Sequence, residues 1–333
     1  MKRPWVIGPL AVAAALVVAA PAQRPSLPAG ALSPAAVSRA LAYAKSHNGL
    51  SLVLMQDGRT ILADYHNGFE IGQSHVLMSA TKSFSGVILA ALIDDGLVSS
   101  FDEKVSETVT EWRDDPQKRD ITLRDLLMLS SGLDPGPIGR VLPYAQALQS
   151  KVLFPPGTRY QYGPAPFQIF GEVVKRKLRG ENALSYLTTR IFRPIGLQAT
   201  GWRLGQDGNP NLASGADLRA EEWIKFGEFV RRRGRWGDRQ VVKAELIEEL
   251  LKPSKTNPGY GLTFWLRTGS GADAEEGGEA ADAAQPQIQV VMAAGAGKQR
   301  LYIIDELGLV VVRQGKASNY LDREFLELLL GKR

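Results

Sequence analysis

The chain has 333 residues, 44% hydrophobic and 23% charged, with a formal net charge of +5 and no cysteine. That composition is the one of an ordinary globular protein, long enough for one large domain or two intertwined ones. The absence of cysteine excludes disulfides, lipid attachment through a lipobox and thiolate metal sites, so stability has to come from packing. Three histidines, His47, His66 and His75, are scattered without ligand spacing. They argue against a Ser-His catalytic pair or a zinc site, and no cofactor is expected.

Residues 1–22 carry Lys2 and Arg3, a hydrophobic run from Trp5 to Ala20, and then Ala20-Pro21-Ala22, with small residues at the two positions a signal peptidase reads. The pattern predicts a secretory signal peptide cleaved after Ala22, hence a periplasmic or secreted protein. The alternative is an uncleaved membrane anchor, for which the run is short against a span of ~20 residues. Removing it takes away two basic and no acidic residues, so the net charge falls from +5 to +3. A nearly neutral mature chain argues against a nucleic-acid partner.

A Pro/Ala-rich linker covers 23–32, after which Ser33-Pro34 reads as an N-cap and first-turn proline for a helix over 35–45. Residues 50–56 and 60–65 flank Asp57-Gly58 and predict a β-hairpin. Next comes Met78-Ser79-Ala80-Thr81-Lys82-Ser83-Phe84, followed by the apolar run 87–93 and closed by Asp94-Asp95-Gly96. The run is too apolar for a surface stripe and Gly96 sits where a left-handed cap belongs, which predicts a buried central helix opened by Ser79. Positions three apart share a helix face, so Lys82 stands one turn behind Ser79 with its amine within reach of the hydroxyl.

A serine hydroxyl is a weak nucleophile until a neighbour takes its proton, and a lysine with a pKa near ~10.4 is already protonated at neutral pH. Burial in an apolar helix disfavours the ammonium and brings the amine towards the range of a general base. The N–H groups at the helix start would face negative charge developing on an attacked carbonyl. By itself S-x-x-K also fits a solvated helix turn.

Further along, Thr122-Leu123-Arg124-Asp125 reads as a capping box for a helix of Leu126, Leu127 and Leu129, ended by Ser130-Ser131-Gly132. Residues 99–254 read as an inserted helical region between two parts of an α/β sheet region, 33–98 and 255–333. Tyr162 follows the loop 154–161 and precedes a helix over 167–174. Such a tyrosine can relay a proton, or simply pack as a loop aromatic. Arg231-Arg232-Arg233-Gly234-Arg235 follows a helical run over 221–230 and reads as cations at a helix C-terminus rather than as an anion site. Residues 268–287, rich in Ala, Gly, Glu and Asp, read as a flexible hairpin loop. Strands over 288–292, 301–304 and 309–313 and a closing helix over 321–330 complete an α+β chain.

The motifs Ser79-Ala80-Thr81-Lys82-Ser83-Phe84, ITLRDLLMLSSGL over 121–133, 156–162, Pro194-Ile195-Gly196-Leu197, Thr200-Gly201-Trp202, Tyr260-Gly261-Leu262 and GAGKQRLYII over 295–304 occur in that order. Together they resemble the penicillin-recognising serine hydrolases over roughly 35–330, most closely the class C β-lactamase-related branch with its carboxylesterases and aminohexanoate-oligomer hydrolases. The resemblance implies a β-lactamase-like fold, an antiparallel sheet of N- and C-terminal segments flanked by helices. It implies Ser79 as nucleophile, Lys82 as base or relay, and Tyr162 as the tyrosine of a Tyr-x-Asn motif. An oxyanion hole would combine the Ser79 N–H with one near Gly295, Ala296 or Gly297. The implied partner is a small ester, amide or β-lactam, with a membrane involved only if the N-terminal segment stays uncleaved. Two departures stand out: Pro164 replaces the usual asparagine, and no lysine or histidine fills the third motif unless Lys298 has shifted into it. Both affect groups that grip an amide substrate. Esterase or small-amide hydrolysis is therefore expected first, β-lactamase or DD-peptidase activity second, and a catalytically impaired cleft-binding relative third.

Overall fold

The computed structural model describes residues 32–268 and 288–331. Its first half runs through α1 (Pro34–Ser46), β1 (Gly49–Gln56), β2 (Arg59–Tyr65), β3 (Ser74–Val76), α2 (Ser83–Asp94), α3 (Leu123–Leu127), α4 (Tyr144–Ala147), α5 (Ala165–Lys177) and α6 (Ala183–Leu187). The second half adds β4 (Gly201–Trp202), β5 (Ala216–Arg219), α7 (Ala220–Arg231), β6 (Arg235–Trp236), β7 (Arg239–Gln240), α8 (Ala244–Leu250), β8 (Trp265–Thr268), β9 (Gln289–Gly295), β10 (Gln299–Ile304), β11 (Leu309–Gly315) and α9 (Asp322–Leu329).

Six antiparallel strands form the main sheet in the order β2-β1-β11-β10-β9-β8, so chain segments from both ends meet where β1 pairs with β11. Side chains alternate between faces along a strand, and here both faces are covered. Leu52, Leu54, Tyr302, Ile304, Leu309 and Val311 pack towards Ala40 and Ala44 of α1 and Phe325 and Leu329 of α9. Val53, Leu301, Ile303, Val310 and Val312 belong to the larger core that contains α2, α5 and α7. Double-sided burial is why these strands read as continuous apolar runs instead of alternating patterns. Gly227 lets α7 approach the sheet closely: a Cβ there would lie 2.5 Å from Val310 Cγ1 and 2.6 Å from Leu301 Cδ1.

Local signals are realised where expected. Ser33 caps α1 by accepting from Ala36 N at 3.1 Å. Asp57 and Gly58 take φ of 48° and 75°, the left-handed pair that a tight hairpin turn needs. Thr122 and Asp125 close the capping box of α3. In the basic run, Arg231 pairs with Glu228 and Asp305, Arg233 pairs with Asp305 and Glu248, and Arg233 also donates to the Arg231 carbonyl at the end of α7 at 2.8 Å.

The central helix differs at its start. Met78–Lys82 is a 3₁₀ turn and the α-helix begins only at Ser83. From there to Leu92 every residue of α2 is buried, and Gly96 follows in the left-handed conformation. The 99–254 region also holds short strands: β4 and β5 join β3 in a three-stranded sheet, and β6 pairs with β7. Strand β8, at the outer edge of the main sheet, is a further element that the sequence pattern did not announce. Residues 1–31 and 269–287 lie outside the described residues, and with them the signal peptide expected over 1–22, nearly all of the linker expected over 23–32 and nearly all of the hairpin loop expected over 268–287. Among the described residues no helix is long and apolar enough to cross a membrane.

Candidate active site

Ser79 sits where β3 hands the chain to α2. The Leu77 N–H donates to the Ala216 carbonyl at 2.8 Å, and Thr81 Oγ1 accepts from Ala216 N at 3.1 Å, so the 3₁₀ turn is stitched to β5 on both sides. Met78 enters the turn with φ of 52°, a left-handed conformation that costs an L-residue about 1–2 kcal/mol. With three residues per turn, side chains at i and i+3 eclipse, and this carries Lys82 Nζ to 3.1 Å from Ser79 Oγ. The serine and lysine meet as the spacing predicts, through a tighter helix type.

Lys82 is buried and its ammonium also donates to the Ala213 carbonyl at 2.9 Å. Its Nζ lies 4.9 Å from the centroid of the Tyr162 ring and 5.4 Å from that of Phe167. Burial lowers its pKa from 10.5 to about 7. At that value the pair can exist in both useful forms, an ammonium donating to Ser79 or a free amine accepting its proton.

Tyr162 thus faces the lysine, placed by the loop that leads into α5. Gly163 is required there, because a Cβ would fall 2.6 Å from Pro135 Cβ. Pro164 occupies the cap position of α5, where a missing N–H costs nothing, and its carbonyl accepts from Phe167 N at 3.2 Å. The acceptor that an asparagine amide would offer to Lys82 is instead a main-chain carbonyl on a different loop. That carbonyl leaves no residue-type signature, and sequence reasoning missed it together with Phe167.

The third-motif residues lie at the end of β9. Gly295 rests against the nucleophile turn: a Cβ on it would fall on the Leu77 carbonyl oxygen and 3.0 Å from Ala80 N. β8 pairs with β9 only as far as Trp265 opposite Met292, so residues 293–295 run on past it towards Ser79. Ala296 is exposed, and the turn through Gly297 and Lys298 is pinned from behind. Gln299 is buried and donates to the Gly315 carbonyl at 2.5 Å, and Arg313 donates to the Lys298 carbonyl at 2.7 Å. Lys298 has φ of 59° in that turn.

Aromatic rings wall one side. Trp265 lies 6.0 Å from Tyr162 and 4.9 Å from Tyr260, with Tyr160 5.5 Å from Tyr260. Among the described residues no cluster of His, Asp or Glu could hold a metal ion.

A serine beside a buried lysine, at the start of a core helix and against the end of an antiparallel strand, is the arrangement of acyl-transfer folds that use S-x-x-K. The β-lactamase family profile matches residues 35–287, and the chain belongs to the β-lactamase family, whose members are serine hydrolases. Its fold is similar to that of a protein assigned as a β-lactamase from Bacteroides dorei DSM 17855, with TM-score 0.71 and 18% identity over 89% of this chain and 98% of that one. A protein assigned as a 6-aminohexanoate-dimer hydrolase from Bacillus anthracis gives TM-score 0.69 and 15% identity over 86% and 78%. EstCE1, a hydrolase with promiscuous acyltransferase activity, gives TM-score 0.69 and 15% identity over 89% and 98%. Comparison with curated proteins gave no significant match.

Proposed function

We propose that this chain is an exported serine hydrolase that cleaves ester or small amide bonds through an acyl-enzyme on Ser79. The observation that carries this reading is the contact of Ser79 Oγ with Lys82 Nζ at 3.1 Å, with the lysine buried and its pKa lowered to about 7. As Ser79 Oγ bonds to the substrate carbonyl carbon, its proton passes to the Lys82 amine. The carbonyl oxygen becomes an oxyanion held by the Ser79 N–H and an N–H at the end of β9. Collapse of this intermediate breaks the bond to the leaving group, which takes a proton relayed through Tyr162. Water then attacks the acyl-enzyme, giving its proton to the same base and releasing the carboxylic acid.

Esters come first because an alkoxide leaves more easily than an amine, and because Pro164 withholds the amide that would hold an amide carbonyl. A second reading, β-lactam hydrolysis, is supported by the fold similarity to the Bacteroides dorei protein. Intact mass after treatment with a fluorophosphonate and, separately, a penicillin tests both. A single fluorophosphonate adduct that disappears in Ser79→Ala is expected, with no stable or turned-over penicillin. Labelling that survives in Ser79→Ala overturns the assignment of the nucleophile.

A further inference from the structure

Lys82 is held from two sides, and only one of them is the serine. A neutral amine has two N–H bonds and one lone pair, and it accepts the Ser79 proton only when that lone pair points at Oγ. Donation to the Ala213 carbonyl at 2.9 Å fixes one N–H and so limits rotation about the last bond of the side chain. A main-chain carbonyl can do this only if its loop is rigid.

Asn211 and Gln168 are the side chains that bond the stretch around Ala213 in that loop, which connects β4 to β5. Asn211 folds back on it: Oδ1 accepts from Ala213 N and Ser214 N, both at 3.0 Å, and Nδ2 donates to Ser214 Oγ at 2.9 Å. The Asn211 carbonyl in turn accepts from Gly215 N at 3.0 Å and from Trp202 Nε1 at 2.9 Å. Gln168 on α5 is fully buried. Its Oε1 accepts from Leu212 N at 3.2 Å and its Nε2 donates to the Leu142 carbonyl at 3.2 Å. It joins the loop to the helix that starts just after Tyr162. A buried amide is costly unless bonded at both ends; here both ends are bonded, and an apolar side chain would leave the Leu212 N–H without this acceptor.

We propose that Asn211 and Gln168 are positioning residues that aim the Ala213 carbonyl at the Lys82 amine, supplying from the backbone the acceptor that asparagine at 164 would have offered. This rests on the reading of Ser79 and Lys82 as the catalytic pair. The titratable group facing Lys82 is Tyr162, and Ser79, Phe167 and the Ala213 carbonyl are its neutral contacts.

The test is hydrolysis of p-nitrophenyl butyrate across the pH range, with thermal melting as a fold control, for Asn211→Ala, Asn211→Asp, Gln168→Met and Ser79→Ala. Asn211→Ala and Gln168→Met lower kcat by about 10- to 100-fold, as misplacement of a catalytic group does, with KM changed less than about threefold. In both, the acid limb moves to lower pH, because an acceptor that favours the ammonium is lost. Asn211→Asp keeps both acceptor bonds and adds a negative charge, so its limb moves to higher pH and its kcat exceeds that of Asn211→Ala. Folded variants with unmoved limbs and kcat within about twofold of the parent overturn the proposal, as do Ala and Asp variants that shift the limb the same way. If one variant fails to fold, the sign of the shift in the others decides. Activity that persists in Ser79→Ala defeats the catalytic-pair reading itself. Its loss there, beside parent-like Asn211 and Gln168 variants, defeats only this inference.

Discussion

Gly295, the last residue of β9, lies against the carbonyl of Leu77, two residues before Ser79, with no room between them for a methyl group. The strand end and the nucleophile turn therefore meet without a gap at this point, and a side chain at 295 must push one of them away. Gly295→Ala is expected to lower kcat/KM on short-chain esters by about 10²-fold, the cost of roughly 1 Å of misalignment. Steady-state kinetics with circular dichroism as a fold control checks this. Parent-like activity in a folded Gly295→Ala protein would show that the end of β9 does not align the reaction.

The lowered pKa of Lys82 fixes the direction of the pH profile. Below about 7 the amine is protonated and cannot accept from Ser79, so the rate rises roughly tenfold per unit there and levels above it. kcat/KM measured from pH 5.5 to 9 locates the limb, and a profile flat over that interval would remove Lys82 from the role of base.

The same burial makes Lys82 a stability cost. A base whose folded pKa is depressed binds fewer protons folded than unfolded between about 7 and 10.5, so its penalty is greatest below about 7 and fades as pH rises towards 10.5. At ~1.36 kcal/mol per unit the penalty at pH 7 is on the order of 4 kcal/mol. Losing the bonds to Ser79 and Ala213 costs Lys82→Met about 2 kcal/mol. The variant is thus expected to be inactive yet about 2 kcal/mol more stable at pH 7, with the gain nearly gone at pH 9. Urea unfolding at the two pH values measures it, and a variant destabilised at pH 7 would mean that the lysine is not paying for its burial.

What could be read beforehand was what short-range geometry dictates. Ser33-Pro34, Asp57-Gly58 and Thr122 with Asp125 act within four residues of themselves, and each element they announce is present. Ser79 and Lys82 were legible for the same reason, since any helix with three to four residues per turn brings i and i+3 together. Its type was not legible: the 3₁₀ turn depends on Thr81 and Leu77 bonding Ala216, 135 residues away in the case of Thr81. Strand β8 is four residues long beside a polar tract, and only pairing with β9 identifies it. The Ala213 carbonyl had no residue type to betray it. Gln168 and Asn211 left a faint mark, as amides placed next to apolar residues that prove to be core.

Pro164 stands where the resemblance to the penicillin-recognising serine hydrolases implies an asparagine. Asparagine there would offer an oxygen to accept from the Lys82 ammonium and a nitrogen to donate to a substrate carbonyl, two bonds proline cannot make. The first is covered by the Ala213 carbonyl at 2.9 Å. A carbonyl oxygen cannot donate, so the second is not. A hydrogen bond of this kind contributes ~0.5–1.5 kcal/mol, or up to ~3 when the oxygen carries charge, which runs from about twofold to on the order of 100-fold on substrates that use it. Amides and β-lactams, with higher barriers and a carbonyl that has to be held, depend on it more than activated esters do. Weak or undetectable nitrocefin turnover is expected beside measurable p-nitrophenyl ester hydrolysis, and Pro164→Asn should gain more on amides than on esters. Asparagine is tolerated at a helix cap, and the α5 carbonyl bonds from residue 164 need no proline. Because the comparison is a ratio of kcat/KM values within one protein, a general loss of stability in the variant largely cancels. Rapid nitrocefin hydrolysis by the parent chain would mean that another donor in the cleft stands in for the absent amide.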